Sequence, residues 1–561
     1  MLLFVKKRFI VLLIAMVYAL SLYGCGPTEE TAAPAIMRPD TTSLVIMGTT
    51  DLHGYVRSWD YYSDEGGLDY SMSRAATLID SVRNRHPEAL LLDAGDWLQG
   101  NPFADYFARE KQPPVHYPLL RGFDYLDYDA VVLGNHEFNY GLAYLNDQID
   151  RTDTPILGGN IFEHGTDEPA YPPYVIREVK GLRVAILGLS TPGSVVWDRP
   201  RVEERLDFRD GTETARRFVP ELMEEEDADL VVVLAHSGYY GDDSYTDPEV
   251  PEENFGKSIA EEIYNVDAMV LGHRHRTFEL IREGPSGSLL PVIEAGRWGS
   301  HLGVIELEVV EPGGNLPTVV LQADTRMHRT AHAEEHEGLV RIVDEAHEEV
   351  RSYVNQPIAT TPDTWYTRTA RQQPAPAIEL IHQVQLEATG AQISAAAAFT
   401  TGLEFGPGDI RRGDIARLYP YENTLYTMEL TGEQLREFLE YTSRYYLQSE
   451  EEEDLLINEA WPGFNYDMLA GVEYELDLRR RPGERVTRLE YEGRPVEDDE
   501  TFEVAINSYR AEGGGGFDML ADAERLEVID TSVRDLIIAY LQEREEIRKS
   551  DYEADNWRLV Y

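Results

Sequence analysis

The chain has 561 residues, which is too long for a single hydrophobic core, so we expect two domains and an additional N-terminal segment. Its 102 acidic and 50 basic side chains give a formal charge of −52. This acidic excess argues against a nucleic-acid polymer or an anionic membrane surface as the main partner, because both require basic patches. We interpret the excess as adaptation of an exported protein to brine, in which salt screens the acidic surface.

The first 24 residues have the pattern of a secretory signal. Lys6, Lys7 and Arg8 precede an apolar stretch over residues 9–20, and the only cysteine, Cys25, follows Gly24. This arrangement predicts a lipoprotein signal peptide over residues 1–24, lipidation of Cys25 and a flexible tether over residues 25–42. An uncleaved anchor helix with an incidental cysteine is the alternative. We expect a monomer exported to the bacterial cell envelope, on its periplasmic face or outer surface, with the lipid anchor as its only membrane contact.

Short apolar runs alternate with helical patterns from residue 43 onward, which is typical of α/β proteins. The patterns predict a first domain over residues 43–330, followed by a linker helix over residues 331–356. The predicted strands of this domain lie at 43–51, 89–92, 130–133, 174–177, 183–189, 230–236, 268–273, 291–296, 304–310 and 319–322. The predicted helices lie at 68–85, 117–126 and 142–149.

The second domain is predicted to extend from residue 357 to residue 561 and to mix helices with strands. Helical spacing occurs at 377–388 and 432–446, and strand patterns occur at 424–430, 471–478 and 502–507. The acidic run at 448–454 is predicted to be a solvated loop. The glycine run at 513–516 is predicted to be a flexible turn.

Five of the predicted strands of the first domain end in polar side chains, usually beside a glycine. One such residue taken singly is more often a capping or hydrogen-bonded side chain, but five in order indicate a common site. Carboxylate, amide and imidazole ligands mixed in this way suit Zn²⁺, Mn²⁺, Co²⁺ or Fe²⁺. Two such ions bridged by a carboxylate can clamp the attacking and leaving oxygens of a phosphoryl displacement. The strand ends are Asp51-Leu-His53, Gly95-Asp96, Gly134-Asn135-His136, His236 and Gly272-His273-Arg274-His275.

These motifs, in this order, resemble those of the calcineurin-like metallophosphoesterases. Together with the second domain, the chain resembles the exported 5′-nucleotidase family over residues 43–560. The resemblance implies an α/β protein, α+β overall, in which a four-layer αββα sandwich precedes an α+β substrate domain. It also implies two divalent metal ions, which could be Mn, Co, Zn, Fe or Mg. In that family pattern Asp51, His53 and His275 hold one ion, Asn135, His236 and His273 hold the other, and Asp96 bridges them.

His136 does not bind metal in this family pattern but is catalytic, since it stabilises charge on the phosphate or protonates the leaving oxygen. In 5′-nucleotidases the residue three positions later is Asp, whereas this chain has Asn139. An amide can orient the imidazole but cannot stabilise its charge as a carboxylate would. His275 also departs from those family members that carry Gln at this position.

The Asn139 motif resembles that of the bifunctional 2′,3′-cyclic-nucleotide 2′-phosphodiesterase/3′-nucleotidases, as do the stretches 296–303, 419–425, 507–510 and 556–559. The Gly-Gly-Gly-Ile-Arg segment of 5′-nucleotidases is replaced by residues 396–400, Ala-Ala-Ala-Phe-Thr, which removes an arginine. A site without this arginine is better matched to a singly charged cyclic diester. The resemblance therefore implies that a metal-activated hydroxide opens a 2′,3′-cyclic nucleotide to a 3′-nucleotide, which is then hydrolysed to nucleoside and phosphate.

The base pocket is expected in the second domain. Phe464 and Tyr509 match the family's base-stacking positions and are predicted to lie on loops, although both could be ordinary core aromatics. Asn465, Arg510 and Asp518 are weaker candidates for polar substrate contacts. We also predict that the linker helix is a hinge. The alternatives are a 5′-nucleotidase or nucleotide-sugar hydrolase, disfavoured by Asn139, and a non-catalytic nucleotide-binding surface lipoprotein, disfavoured by the complete ligand set.

Overall fold

The structure is a computed structural model that describes residues 41–241, 243–245, 247–310, 318–449, 455–520 and 523–561. The predicted signal peptide, Cys25, nearly all of the predicted tether and residues 450–454 of the acidic run lie outside these ranges. Within the described ranges, no helix combines the length and the apolar character needed to cross a bilayer.

Two six-stranded sheets form the centre of the N-terminal domain. Four neighbouring strands of the first sheet run parallel, and so do four of the second. In spatial order the first sheet contains Val319–Arg329, His301–Val310, Thr42–Thr49, Leu90–Asp93, Ala130–Val132 and Ile156–Leu157. The second contains Thr277–Glu283, Leu289–Ala295, Ala268–Leu271, Leu230–Ala235, Leu182–Leu189 and Tyr174–Val179.

The sheets pack face to face through alternate side chains, such as Ile46 and Val132 on one sheet and Val232 and Val270 on the other. Helices cover each outer face, so the predicted four-layer αββα arrangement is confirmed. The first sheet is covered by Met72–Arg83, Pro118–Tyr125 and Glu337–Val354, and the second by Gly211–Glu224 and Gly256–Glu262.

Shorter elements connect the layers of this domain. The helical ones are Pro102–Asp105, Tyr106–Glu110, His136–Phe138, Leu142–Ile149, Ser194–Trp197 and Arg199–Val202. The extended ones pair Trp59–Asp60 with Glu65–Gly66 and Ile161–Glu163 with Leu206–Phe208.

Two helices, predicted to begin at residues 68 and 331, begin instead at Met72 and Glu337. In each case the preceding side chain caps the helix at its observed start. Ser71 Oγ accepts a hydrogen bond from Arg74 N at 3.1 Å, and His336 Nδ1 accepts one from Leu339 N, also at 3.1 Å. The second of these helices, Glu337–Val354, packs its buried face into the core of the N-terminal domain. It is therefore an integral part of that domain's surface layer at the junction with the next domain.

The C-terminal domain has its own core, built around a five-stranded mixed sheet. In spatial order this sheet contains Asp467–Ala470, Ile393–Ala397, Thr501–Asn507, Thr424–Thr431 and Glu524–Ser532. A four-stranded sheet contains Arg494–Pro495, Val486–Tyr491, Glu473–Asp477 and Trp557–Val560, and two short pairs join Pro357–Thr361 to Gly408–Arg411 and Trp365–Tyr366 to Glu404–Phe405. The helices are Pro376–Thr389, Arg412–Leu418, Gly432–Thr442, Ser443–Tyr445, Gly463–Asn465, Ser508–Ala511, Asp518–Leu520, Val533–Arg544 and Lys549–Tyr552.

A network of charged side chains, of which Asp105, Glu422 and Arg534 are buried, joins the two domains. The Arg534 guanidinium lies 2.8 Å from Asp105 of the N-terminal domain and also contacts Glu422. Arg109 of the N-terminal domain lies 2.6 Å from Glu422 and 3.5 Å from Asp535. Breaking one partner of such a network leaves the other charges uncompensated in a low-dielectric environment, so these contacts fix how the domains meet.

Candidate metal centre and nucleotide cavity

The strand ends that carry the predicted ligands converge at one edge of the sandwich. This follows from the topology, since the carboxyl ends of parallel strands lie at the same edge of a sheet and the two sheets face each other. The structure brings all seven predicted ligands together there: Asp51, His53, Asp96, Asn135, His236, His273 and His275.

One group of potential ligands consists of Asp51, His53, Asp96 and His275, whose ligand atoms lie within 4.8 Å of one another. His275 Nε2 lies 3.3 Å from Asp51 Oδ1 and 2.9 Å from His53 Nε2. Asp51 is completely buried, yet its Oδ1 accepts no hydrogen bond from the described residues. A buried carboxylate oxygen without a donor, facing two imidazole nitrogens, is the arrangement expected around a cation.

The second group contains Asp96, His236 and His273. Asp96 Oδ2 lies 3.1 Å from His236 Nε2, and Asn135 Oδ1 lies 3.1 Å from both His236 Nε2 and His273 Nδ1. The same Asp96 oxygen lies 3.9 Å from His53 Nε2 of the first group. Asp96 therefore belongs to both groups and has the position of a bridging ligand.

Each of three ligand imidazoles is oriented by a partner on its outer nitrogen. His53 Nδ1 lies 2.6 Å from the Gln99 carbonyl oxygen and His236 Nδ1 lies 2.7 Å from that of Ala94. His273 Nε2 lies 2.7 Å from Glu253 Oε1. Donation to these oxygens turns the other nitrogen of each ring toward the site, which is how protein metal centres orient their histidines.

The protonation of the ligands reflects burial and the charge of the carboxylates. Burial lowers the pKa of His53 to about 3, so this imidazole is neutral and able to coordinate. Burial also acts to lower the pKa of His236, but the neighbouring Asp96 and Asp51 carboxylates outweigh it and raise the value to about 10. Carboxylates that hold a proton on a fully buried imidazole would attract a divalent cation to the same position.

The backbone at the metal centre is strained. Five of the seven potential ligands adopt the left-handed conformation that non-glycine residues seldom use, and such conformations persist only where the surroundings enforce them. Their φ angles are 51° for Asp51, 47° for His53, 58° for Asp96, 77° for His273 and 57° for His275.

Glu137 supplies part of this enforcement. Its fully buried carboxylate accepts hydrogen bonds from the backbone nitrogens of Asp96 and Gly134 at 3.0 and 2.6 Å. It also accepts bonds from the two residues after Asp96, at 2.8 and 2.9 Å. A Cβ atom at Gly134 would collide with Asp96, which explains the glycine. One side chain thus holds the loops of two neighbouring strand ends in register.

His136 lies beside the two groups but outside both. Its backbone nitrogen donates to Asp96 Oδ1 at 2.8 Å, and its ring stands edge-on to that of His53 with centroids 5.2 Å apart. Its Nδ1 lies 2.7 Å from Asn139 Oδ1, as the sequence prediction requires of an orienting partner. This placement leaves Nε2 of His136 for a ligand in the adjoining cavity.

A cavity of about 1130 Å³ opens between the domains at this edge. His53, Asn135, His136, His273 and His275 line its N-terminal side. Its other side belongs to the C-terminal domain and includes the predicted substrate residues Phe464, Asn465, Tyr509, Arg510 and Asp518. The predicted metal and substrate residues therefore face one another across a single space, large enough for a nucleotide.

Aromatic rings line the C-terminal side. Phe464 and Tyr421 are 36% and 37% exposed, and their ring centroids are 6.5 Å apart. Phe464 is therefore no core residue. The prediction that Phe464 and Tyr509 lie on loops was wrong: Phe464 is in the short helix Gly463–Asn465, and Tyr509 is in Ser508–Ala511, where the Asn507 side chain caps Arg510 N at 3.0 Å.

Two of the predicted polar substrate residues differ in whether their polar atoms are already engaged in hydrogen bonds within the protein. Asn465 is 8% exposed, and its Oδ1 has no hydrogen-bond partner in the described part of the chain. Arg510, by contrast, donates to Asp467 at 2.6 Å and to the Gly514 and Phe464 carbonyl oxygens at 2.8 and 2.5 Å. Arg510 thus holds the wall that carries Phe464, whereas Asn465 has an acceptor to offer a ligand.

Several cavity residues were not identified from the sequence. Trp197 stacks on His273 at 5.6 Å, Arg297 lies 3.2 Å from His275 Nδ1, and Glu253 contacts His273 as described above. Asp198 also lies here, beside Asn139. None of these residues belongs to a recognisable motif at the end of a strand. Arg297 lies in the stretch 296–303, which was part of the sequence resemblance, as does Tyr421 in the stretch 419–425.

Comparisons with known proteins give one family match for each of the two domains. Residues 44–277 match the family model of the calcineurin-like phosphoesterases, and residues 357–522 match that of the 5′-nucleotidase C-terminal domain. A 2′,3′-cyclic-nucleotide 2′-phosphodiesterase/3′-nucleotidase from Salmonella typhimurium is 32% identical over 550 residues, covering 86% of this chain and 83% of the relative. A protein of the same description from Haemophilus influenzae is 32% identical over 581 residues, covering 92% of this chain and 87% of the relative.

The fold also matches solved structures. A Staphylococcus aureus protein described as a candidate 5′-nucleotidase superposes with a TM-score of 0.77 at 24% identity. The match covers 92% of this chain and 100% of the other. At this level of identity the likeness shows the two-domain fold alone.

Proposed function

Because the chain belongs to the calcineurin-like phosphoesterases that carry a 5′-nucleotidase C-terminal domain, we propose that it hydrolyses 2′,3′-cyclic nucleotides to 3′-nucleotides and these to nucleoside and phosphate. Proteins of this family are hydrolases with a dimetal centre. The observation that carries the proposal is the single cavity shared by the two ligand groups and the aromatic rings Tyr421, Phe464 and Tyr509.

The seven ligands fit two divalent cations. We assign Asp51, His53 and His275 to one ion, Asn135, His236 and His273 to the other, and Asp96 to both. Bound there, the cations would supply an activated water and neutralise charge on the phosphate. The mixed carboxylate, amide and imidazole ligands suit Mn, Co, Zn, Fe or Mg, and elemental analysis of the purified protein would identify which of them is bound.

The chain's own residues then position and protonate the substrate. His136, adjacent to Asp96 but outside both ligand groups, is assigned to protonate the leaving ribose oxygen through Nε2. Tyr421, Phe464 and Tyr509 are assigned to hold the base by stacking, and Asn465 to accept a hydrogen bond from it. The same assignments serve both steps, since the first opens the ring at the 2′-oxygen and the second releases the 3′-oxygen.

Two features favour the cyclic diester over a 5′-nucleotide. The strand Ile393–Ala397 leads into Phe399 and Thr400 at the cavity, where the replaced family segment would have supplied an arginine. Nearby Arg371 does not take over that role, because its guanidinium donates to the Ala398 carbonyl oxygen at 2.7 Å and to Tyr445 at 3.2 Å. Loss of this arginine removes one cation that would grip a terminal phosphate, which favours the singly charged cyclic diester as the first substrate.

The test is a comparison of hydrolysis rates for 2′,3′-cyclic AMP, 3′-AMP and 5′-AMP with Mn²⁺ or Co²⁺ added. We expect the first two to be hydrolysed at least tenfold faster than the third. A dominant rate with 5′-AMP would contradict the proposal and favour a 5′-nucleotidase. Binding of all three without hydrolysis, unchanged by chelation, would instead indicate a non-catalytic nucleotide-binding protein.

We also propose that the protein is exported and anchored through a lipid on Cys25, on the basis of the N-terminal sequence pattern, and that it is a monomer. Metabolic labelling with a fatty acid should mark the wild-type protein and leave Cys25→Ala unlabelled. Equal labelling of both would contradict lipidation at this residue, and light scattering of the tether-free protein would test the monomer.

A further inference from the structure

Asp198 lies directly behind the partner of His136. Its Oδ2 accepts a hydrogen bond from Asn139 Nδ2 at 2.7 Å, and Asn139 Oδ1 in turn lies 2.7 Å from His136 Nδ1. Asp198 is 1% exposed and comes from a separate part of the chain, between the short helices Ser194–Trp197 and Arg199–Val202. The three side chains form an unbroken line from a buried carboxylate to the imidazole.

A carboxylate at this position removes an ambiguity in Asn139. An asparagine can present either its oxygen or its nitrogen to a histidine, and the two orientations have opposite effects on the imidazole. Asp198 is paired with the Arg201 guanidinium at 3.0 Å. A carboxylate in such an ion pair accepts hydrogen bonds and donates none, so Asp198 requires the Asn139 nitrogen to face it and the oxygen to face His136. His136 Nδ1 must then carry the hydrogen that Asn139 accepts, and Nε2 is the nitrogen turned toward the cavity.

Asp198 is itself held in place. Arg201 Nη1 donates to its Oδ1 at 3.0 Å, and the Arg201 backbone nitrogen donates to its carbonyl oxygen at 2.8 Å. The other carboxylate oxygen is thereby left for Asn139. A buried carboxylate with a charged partner on one oxygen and an amide on the other has little freedom to rotate, so the orientation that it gives to Asn139 is fixed.

We infer that Asp198 is a positioning residue for His136, acting through Asn139, and that it places a negative charge one hydrogen bond beyond the group that contacts the imidazole. The inference rests on the proposed function, since it assigns His136 to the reaction.

Exchange of the two side chains tests the inference. Asn139→Asp alone would set two carboxylates at hydrogen-bond distance, which repel each other, so we expect kcat for 2′,3′-cyclic AMP to fall at least 100-fold. Asp198→Asn alone frees the Asn139 amide to turn over, and we expect a fall of about tenfold. In the double variant, an aspartate at 139 would accept hydrogen bonds from both His136 and an asparagine at 198. Its kcat should recover to within about threefold of the wild type.

KM should change by less than about twofold in all three variants, because neither residue is assigned to hold the base. The inference would be overturned if Asp198→Asn had the kcat of the wild type. It would also be overturned if the fold-loss of kcat in the double variant equalled the product of the fold-losses in the two single variants. If Asn139→Asp does not fold, the kcat and KM of Asp198→Asn decide alone. Asp267→Asn is the matched control: it removes another buried carboxylate, 3.0 Å from Val231 N and outside the cavity, and should leave kcat unchanged.

Failure of the inference can be told from failure of the proposed function. If wild-type protein loaded with Mn²⁺ does not hydrolyse the cyclic substrate, the proposed function fails, and the positioning role of Asp198 fails with it. If the wild type is active and the exchange does not restore kcat, only the inference is overturned. Melting temperatures of each variant separate loss of folding from loss of positioning.

Discussion

In the metal half of the cavity, Asp51 and His236 are completely buried, three imidazoles are tied down by a second partner, and five residues are held in left-handed backbone. In the nucleotide half, Tyr421 and Phe464 leave more than a third of their surface exposed. In the metal half, hydrogen bonds and burial fix the positions of individual ligand atoms. In the nucleotide half, aromatic rings present broad apolar faces to the ligand. Substitutions should therefore affect rate in the first half and affinity in the second.

Removal of the metals should have the largest effect. Chelation, or Asp96→Asn at the shared ligand, should lower kcat by at least about 10³-fold, because the activated water and the charge neutralisation are lost together. The buried carboxylates and strained backbone should also lose support, so the melting temperature of the wild type should fall on chelation and recover with Mn²⁺. Full activity after exhaustive dialysis against a chelator would contradict the metal assignment.

His136→Ala should be the next most severe change. Loss of a general acid typically reduces kcat by about 10²–10⁴-fold. Because the ring lies outside both ligand groups, the variant should still bind two metal ions per chain, as measured by elemental analysis. Loss of one ion in this variant would mean that His136 is a ligand, and the division between metal and catalytic residues would need to be redrawn.

Substitution of the stacking rings should move KM and spare kcat. Tyr509→Leu and Tyr421→Leu should each raise KM by about 5- to 150-fold, which corresponds to the roughly 1–3 kcal/mol attributed to stacking of one base on an aromatic ring. Tyr240→Leu is a suitable control, since Tyr240 is a 52% exposed tyrosine that does not line the cavity. An effect on kcat larger than that on KM would show that the nucleotide half also positions the phosphate.

Base identity should have the smallest effect. Every base has a face to stack, so kcat/KM for the four 2′,3′-cyclic mononucleotides should agree within about tenfold. Discrimination of 100-fold or more would require polar groups that read the edge of the base. In that case Asn465, with its unpartnered buried oxygen, would be the first residue to substitute.

The metal half was largely predictable from the sequence, and its surroundings were not. Asp51, Asp96 and His236 each end an apolar run, and the common edge of parallel strands brings such residues together whatever lies between them. Asp198 meets Asn139 across 59 positions from a stretch with no strand or long helix, so no periodic pattern points to the contact. Glu253 likewise lies on a loop, and its contact with His273 depends on tertiary packing that the sequence pattern does not reveal.

Local boundaries were missed for a related reason. The apolar spacing around 331–354 suggested a helix throughout, but the cap at His336 sets its start, and the packing of its buried face is decided by the N-terminal core. The role of Tyr421 was also missed. Its stretch was recognised, but the exposure of its ring depends on where the C-terminal domain meets the metal centre.

The two walls of the cavity come from separate stretches of the chain, residues 53–298 and 399–518. The part of the gene that encodes the hydrolytic chemistry can therefore acquire mutations with little effect on the part that encodes the choice of nucleotide. In related proteins, substitutions in the C-terminal stretch would change the choice of nucleotide while the N-terminal stretch kept the same hydrolytic residues. The charged contact of Arg534 with Asp105 and Glu422 limits this freedom, because any new partner domain must still present a matching charge.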